Sequence, residues 1–376
     1  MNERPLMRYR AVLPGDCMPE ACFQSADGSG LHISAFGGQY LLLYFVAPDL
    51  CSTVPDPNNW LQKAAALRDP ERARLIVVHP SAPCPVPCND SPVIRNVFDP
   101  ELIAAQAFGA APSGVGDPRH MRALVLLFDP MLRLIASSSL RSEQDALAIL
   151  AQLDAQPRLE RFSGRRLQAP VLYLPRVFSP ELCAELIERY NAQDRDLTGV
   201  MRVIGGQTVG VQDPSFKRRR DCLIDDVALK RRIQLRFRSA VLPQLRKAFG
   251  FEATRMERYL VGCYSASDVG HFAAHRDNTT PATAHRRFAV SINLNADFDG
   301  GAVYFPEYSP EGIKADAGTA VVFGCGTLHA VGQVTRGARY AFLPFIYDEA
   351  AARMRCDAQG RQPAQDTETA PQSGAV

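Results

Sequence analysis

The stretch HFAAHRDN, residues 271–278, places two histidines and an aspartate within seven positions. Only His275 belongs to an H-x-D triplet, with Asp277. Alone, such a triplet arises about as often as chance predicts. In an extended segment, however, residues i and i+2 face the same side, so His275 and Asp277 can reach one ion while Arg276 points away. A third ligand must come from a distant strand. The later strand-like segments offer His329, at the start of LHAVGQV. Two imidazoles and one carboxylate form a facial set that leaves coordination positions open. That suits Fe(II) binding a chelating cosubstrate and O2, whereas a structural zinc site closes four ligands and favours sulfur. Arg339 follows ten residues after His329, in RGARYAFLPF. If the chain turns through TRG, Arg339 returns on a neighbouring strand facing inward, where a buried guanidinium needs an anion. A dicarboxylate held by the metal at one end would present its other carboxylate there. His271 and His285 fit no ligand slot; His271 is expected to be structural and His285 exposed.

These residues need a scaffold, and the chain is long enough for one. Its 376 residues are 46% hydrophobic and 22% charged, ordinary for a globular protein with two or three cores. The net charge of +2 gives no bulk attraction to nucleic acid. The local run KRRRD, 217–221, reads as a solvated loop or helix start, with a substrate-facing basic edge as the alternative. MNERPLMRYR has no apolar stretch behind it, and runs such as YLLLYFV are strand-length, so neither an export signal nor a membrane span is expected. A cytoplasmic location follows as an expectation, and with it reduced thiols for most of the ten cysteines.

A polar, basic stretch, DAQPRLERFSGRRLQAP, separates two differently patterned halves. The expected organisation is a first domain over 1–156, a linker over 157–168, a second domain over 169–350 and a polar, disordered tail over 351–376. In the first half, buried strand patterns (QYLLLYFVA, ARLIVVHPS) alternate with helical ones (58–69, 100–110, and 142–156 with a Ser142 cap), which implies an α/β sheet. MRALVLLFDPMLRLIASS reads as two strands joined at Asp129-Pro130. The second half opens with a strand over 169–178, a helix capped at Ser179 with Pro180 at its first position, and another helix over 226–248. From 255 on, short strands separated by Gly, Pro and Asp turns predict an antiparallel barrel or jelly roll with helices outside. Gly300-Gly301 marks a tight turn or bulge.

At this point a family likeness emerges. CYSASDVGHFAAHRDN, SINLN, GGAVYFPE, ADAGTAVVF, LHAV and GARYAFLPFIYD occur in the order and spacing of the prolyl-hydroxylase type of Fe(II)/2-oxoglutarate-dependent dioxygenase. APVLYLPRVFSPELCAELIE is similar to that family's entry strand and first helix, so the resemblance covers about 169–348. It implies a double-stranded β-helix with flanking helices. It implies that His275, Asp277 and His329 hold Fe(II), that Arg339 binds the C5 carboxylate of 2-oxoglutarate, and that Tyr264 donates a hydrogen bond to this cosubstrate. Asn293 stands where some relatives carry an aromatic hydroxyl, and its amide can also hydrogen-bond. One extra residue separates Tyr264 from His275. The implied activity is hydroxylation of an unactivated C–H bond of a small molecule or protein side chain, with release of succinate and CO2 and with ascorbate as reductant.

The first half, about 10–153, resembles the opening of peroxiredoxins and related thioredoxin-fold proteins in LPGDCMPEACFQSADGSGLHISAFGGQYLLLYFVAPDLC. Cys51 then occupies the position of a reactive cysteine, and Cys84 and Cys88 of CPVPC offer a redox pair. Asp49 and Leu50 stand where a small or hydroxyl residue is expected, and an adjacent carboxylate disfavours a thiolate. A degenerate scaffold or docking domain is therefore favoured over a thiol redox role. Two alternatives remain for the whole chain: a thiol peroxidase acting through Cys51 with an accessory barrel, and a non-catalytic binding protein.

Overall fold

The computed structural model describes residues 7–26, 28–48, 63–81, 90–192, 196–204 and 207–358. The chain divides into two compact units, residues 1–168 with 306–310 and residues 169–305 with 311–376.

The first unit is built on one mixed sheet. Tyr40–Phe45 is entirely buried because the run YLLLYF is apolar on both faces. It pairs in parallel with Ala73–His79, which pairs in parallel with Ile94–Phe98. On its other side it meets Leu124–Phe128 antiparallel, and that strand forms a hairpin with Leu134–Ser139. Ser142 caps the helix Glu143–Asp154 in a reciprocal box with Asp145. Ala146, Ile149, Leu150 and Leu153 bury its apolar stripe. Two expectations change. Of the helix expected over 58–69, residues 58–62 lie outside the described residues, Lys63 is helical, and Ala65–Arg68 is a short 3-10 turn. Ile94–Phe98 is a strand that periodicity misses, because Arg95 interrupts its apolar run. Cys51, Cys84 and Cys88 lie outside the described residues.

The second unit is a β-rich jelly roll of two sheets. One runs Arg220–Leu223, Leu260–Ser265, Ala338–Phe342, Phe288–Asn293, Ala320–Gly324 and Val171–Leu174. The other contains Lys217–Arg218, His271–His275, His329–Val331 and Val303–Phe305. The helix Pro180–Asn191 starts where Ser179 Oγ accepts the Leu182 amide at 3.3 Å. A second helical stretch, Val227–Phe249, turns π-helical over Phe237–Val241, just before Pro243 removes an amide donor. Leu182, Leu186, Ile233, Val241 and Leu245 join Val261, Ile292 and Phe342 in one core. At Gly300, φ is +71° and the ladder to Val334–Arg336 shifts register; a Cβ there would lie 2.1 Å from the Gln333 carbonyl oxygen, so only glycine fits the bulge.

Three expectations for this unit are corrected. KRRRD is neither a loop nor a helix start: Lys217–Arg218 and Arg220–Leu223 are strands, and Lys217 and Arg219 are each only 6% exposed. His285 is buried, not exposed, because Glu257 accepts from it at 3.0 Å. Residues 351–358, expected within a disordered tail, continue the helix Glu349–Ala358. Among the described residues, no helix is long and apolar enough to cross a membrane.

Candidate metal and cosubstrate site

His275 ends one strand and His329 begins its neighbour, and the two are directly opposed across the antiparallel ladder. A bulge between Phe272 and His275 turns both Phe272 and His275 to one face, where the two rings stack 3.6 Å apart. The histidine rings lie 4.3 Å apart. Asp277 follows two residues on, its amide donating to the Cys325 carbonyl at 3.0 Å. Its carboxylate oxygens sit 3.6 Å from His275 Nε2 and 3.4 Å from His329 Nε2. One ligand atom from each of the three lies within 4.8 Å of the others.

The ring orientations suit a divalent metal. Nδ1 of His275 faces the Ala273 carbonyl at 2.8 Å, and Nδ1 of His329 faces the Thr327 carbonyl at 3.1 Å. Each Nδ1–H therefore donates to backbone, leaving Nε2 as a lone pair aimed at Asp277. Burial, reinforced by the neighbouring His275, pushes His329 down to about 4, so it is neutral near pH 7. Burial opposes ionisation of Asp277, but His329 and His275 outweigh it and hold the carboxyl well below the usual range. His329 and Asp277 thus favour the unprotonated forms a metal ligand needs, and nitrogen and oxygen donors without sulfur suit Fe(II).

Arg339 lies on the opposite sheet, paired in register with Tyr264. It is 1% exposed. Its Nε donates to Asn293 Oδ1 at 2.9 Å and one Nη donates to Ser291 Oγ at 2.8 Å. Among the described residues, its Nη1 has no hydrogen-bond partner and no carboxylate forms an ion pair with the guanidinium. Burial, with Arg219 nearby, lowers the Arg339 pKa from its ordinary value. A buried cation without a counter-ion is costly unless an anion arrives. The Tyr264 ring lies beneath the guanidinium at 5.3 Å, and its hydroxyl accepts from Arg219 Nη1 at 3.3 Å.

The structure thus gathers His275, Asp277 and His329 in one cluster, and Tyr264, Asn293 and Arg339 in another. Asn293 has a different task from the one expected of it. Its Nδ2 donates to the Ala315 carbonyl at 2.6 Å while its oxygen holds Arg339, so it positions the arginine. His271 stands apart from the triad, bridging the Val269 and Ser215 carbonyls. Sequence reasoning missed Ser291, which lies two residues from Asn293 on the same strand face. The favoured loop reading of KRRRD overlooked the i, i+2, i+4 spacing of Lys217, Arg219 and Asp221, which is the signature of one strand face.

Part of the chain is similar to known proteins. Residues 259–347 match the family model described as the 2OG-Fe(II) oxygenase superfamily. A PKHD-type hydroxylase of Janthinobacterium is 24% identical over 180 residues, covering 45% of this chain and 74% of that protein. One from Nitrosomonas europaea is 28% identical, covering 38% and 66%. The PKHD-type hydroxylase PiuC of Pseudomonas aeruginosa is 34% identical over 91 residues, so the chain spans only 39% of that relative's length and 22% of its own. Among solved structures, a prolyl hydroxylase from Trichoplax adhaerens, in complex with a peptide fragment of hypoxia inducible factor, aligns with a TM-score of 0.41 at 16% identity. It covers 52% of this chain and 89% of that one. The family match encloses all six site residues. Residues 259–347 are a 2OG-Fe(II) oxygenase domain, and the chain is an enzyme of the dioxygenase/hydroxylase kind.

Proposed function

We propose that the second unit hydroxylates an unactivated C–H bond, consuming 2-oxoglutarate and O2 and releasing succinate and CO2. The observation that carries this reading is the unpartnered Nη1 of Arg339, inside the same unit as a His–Asp–His cluster of metal-ligand geometry. His275, Asp277 and His329 would hold Fe(II) and leave part of its coordination sphere open. Iron bound there supplies O2 activation coupled to oxidative decarboxylation of the cosubstrate. Arg339, fixed by Asn293 and Ser291, takes the far carboxylate of 2-oxoglutarate as a charge-assisted pair. Tyr264 already accepts from Arg219, so its own hydroxyl proton is free to donate to the cosubstrate. Phe272, stacked on His275, and Phe323, 4.6 Å from the His329 ring, wall the ligands from bulk water.

The PKHD-type and prolyl-hydroxylase relatives make a prolyl or similar aliphatic position the first substrate to try. For the first unit, a thioredoxin-like scaffold is supported by its strand order. Three parallel strands are flanked by an antiparallel hairpin and followed by a helix. The deciding assay is succinate release from the full chain with Fe(II), 2-oxoglutarate and ascorbate, without added substrate at first. Turnover that depends on both Fe(II) and 2-oxoglutarate, and is lost in His275→Ala, is the expected result. Turnover that survives His275→Ala rejects the proposal.

A further inference from the structure

The metal and cosubstrate account leaves a second set of buried charges unexplained. Lys217 and Phe272 are cross-strand partners and share a face. The Lys217 ammonium lies 5.5 Å from the Phe272 ring, and the Arg219 guanidinium lies 5.9 Å from the same ring. That ring is the one stacked on His275. Both cations are therefore a single aromatic layer from the metal ligands. Arg258 joins them, with Nη2 3.5 Å from Asp221 Oδ2.

Among the described residues, these three cations share one carboxylate. Asp221 accepts from Arg219 at 2.5 and 2.8 Å, and Lys217 Nζ lies 3.8 Å from it. Lys217 is otherwise held only by neutral oxygens, Thr198 Oγ1 at 2.8 Å and the Gly199 carbonyl at 3.1 Å. Burial, and then Arg219, push the Lys217 pKa down to about 7. Burial and Arg219 likewise lower Arg258 to about 10.

The main site does not absorb this charge. A divalent metal, Asp277, a dianionic cosubstrate and Arg339 sum to zero. The cluster beside them carries an excess of at least one positive charge, and of two when Lys217 is protonated, which is costly in a largely dry interior without an anion. Two backbone features maintain the arrangement. A Cβ at Gly262 would lie 2.8 Å from Arg219 Cδ, so glycine there makes room for the guanidinium. Arg258 holds a left-handed backbone, φ +61°, a strained conformation that other interactions must offset. Its side chain is 33% exposed, so it connects the buried cations to solvent.

We propose that the substrate carries an oxyanion, a carboxylate or a phosphate, seated on Lys217, Arg219 and Arg258 beside the metal. This deepens the oxygenase reading and rests on it. It predicts a small anionic metabolite rather than an internal residue of an uncharged peptide.

Anion binding is measured by thermal unfolding of the full chain loaded with Mn(II) and saturating 2-oxoglutarate, so that Arg339 is already occupied. The probes are inorganic phosphate and acetate, compared with sodium chloride at equal ionic strength. An oxyanion-specific rise in Tm is expected. Its half-maximal concentration should increase at least tenfold in Lys217→Met, which keeps the side-chain length without the charge. Arg258→Gln, at a partly exposed position, should do the same if the buried variant fails to fold. A larger response to phosphate assigns a phosphorylated substrate, and a larger response to acetate a carboxylic acid. Equal stabilisation by chloride, or an unchanged midpoint in both variants, overturns the inference. If Mn(II) and 2-oxoglutarate stabilise the chain but neither oxyanion does, the anion site alone is rejected. If none of them stabilises it, the oxygenase reading is rejected too.

Discussion

The two units bury their residues for different reasons. In the first, Tyr40–Phe45, Ala73–His79 and Leu124–Phe128 are packed by aliphatic and aromatic side chains. It buries few polar residues, among them Asp99, which accepts the Ala105 amide at 2.7 Å. In the second, the barrel interior buries His329, Arg339, Asn293, Ser291, Lys217 and Arg219. Packing accounts for the first pattern, since apolar burial stabilises by about 25 cal/mol per Å². It cannot account for the second, where desolvation opposes folding and ion pairs, hydrogen bonds or bound ligands must offset it. Among the described residues, buried charge is therefore concentrated in the second unit.

Mutations can break or sharpen that contrast. The largest effect is expected at the triad. His275→Ala or His329→Ala should abolish Fe(II) binding and reduce 2-oxoglutarate turnover by well over about 100-fold, beyond the range for an outer-shell change. Metal stoichiometry and succinate release check this. Next comes Arg339→Met. Losing a buried charged partner costs about 2–5 kcal/mol, so KM for 2-oxoglutarate should rise by about 100-fold while metal binding is retained. Asn293→Ala should give about a tenfold rise in the same KM, because an unpaired buried donor costs about 1–3 kcal/mol.

Glu257 offers a pH test of the second unit. Burial opposes its ionisation, yet His285 and Arg286 hold it at about 2. A depressed carboxyl contributes stability that is present above its ordinary 4.5 and is lost as pH falls through 2. Acid unfolding should therefore steepen below about pH 4.5. Glu257→Gln should lower stability at neutral pH and flatten that acid limb, as followed by circular dichroism. The smallest effect is expected in the first unit. Cys51→Ser, Cys84→Ser and Cys88→Ser should leave succinate release within about twofold, as for substitutions outside a site. A larger loss, or peroxide consumption that disappears with Cys51, would erase the functional asymmetry between the units.

Much of this was legible without coordinates, for identifiable reasons. Period-2 alternation and turn residues marked the barrel strands, and unbroken apolar runs marked the central strands of the first sheet. His275 and Asp277 were readable because i, i+2 spacing on a strand needs no tertiary information. KRRRD was misread because a run of like charges is usually solvated, and only the pairing of Lys217 with Phe272 shows it facing inward. His285 was misread because Glu257, which makes its burial tolerable, lies 28 residues away on another strand.

By itself, then, the amino-acid sequence determined the ligand types, their local spacing and the alternation that makes strands. Only the tertiary structure decided that His329 would face His275, and that Arg339 would be held by Asn293 and Ser291 with one donor left over. It alone decided that HFAAHRDN would lie one aromatic ring from a surplus of buried positive charge. The physical reason is that strand pairing over long separations sets which side chains meet. The free energy of a buried charge depends on those neighbours rather than on the residues beside it in the chain.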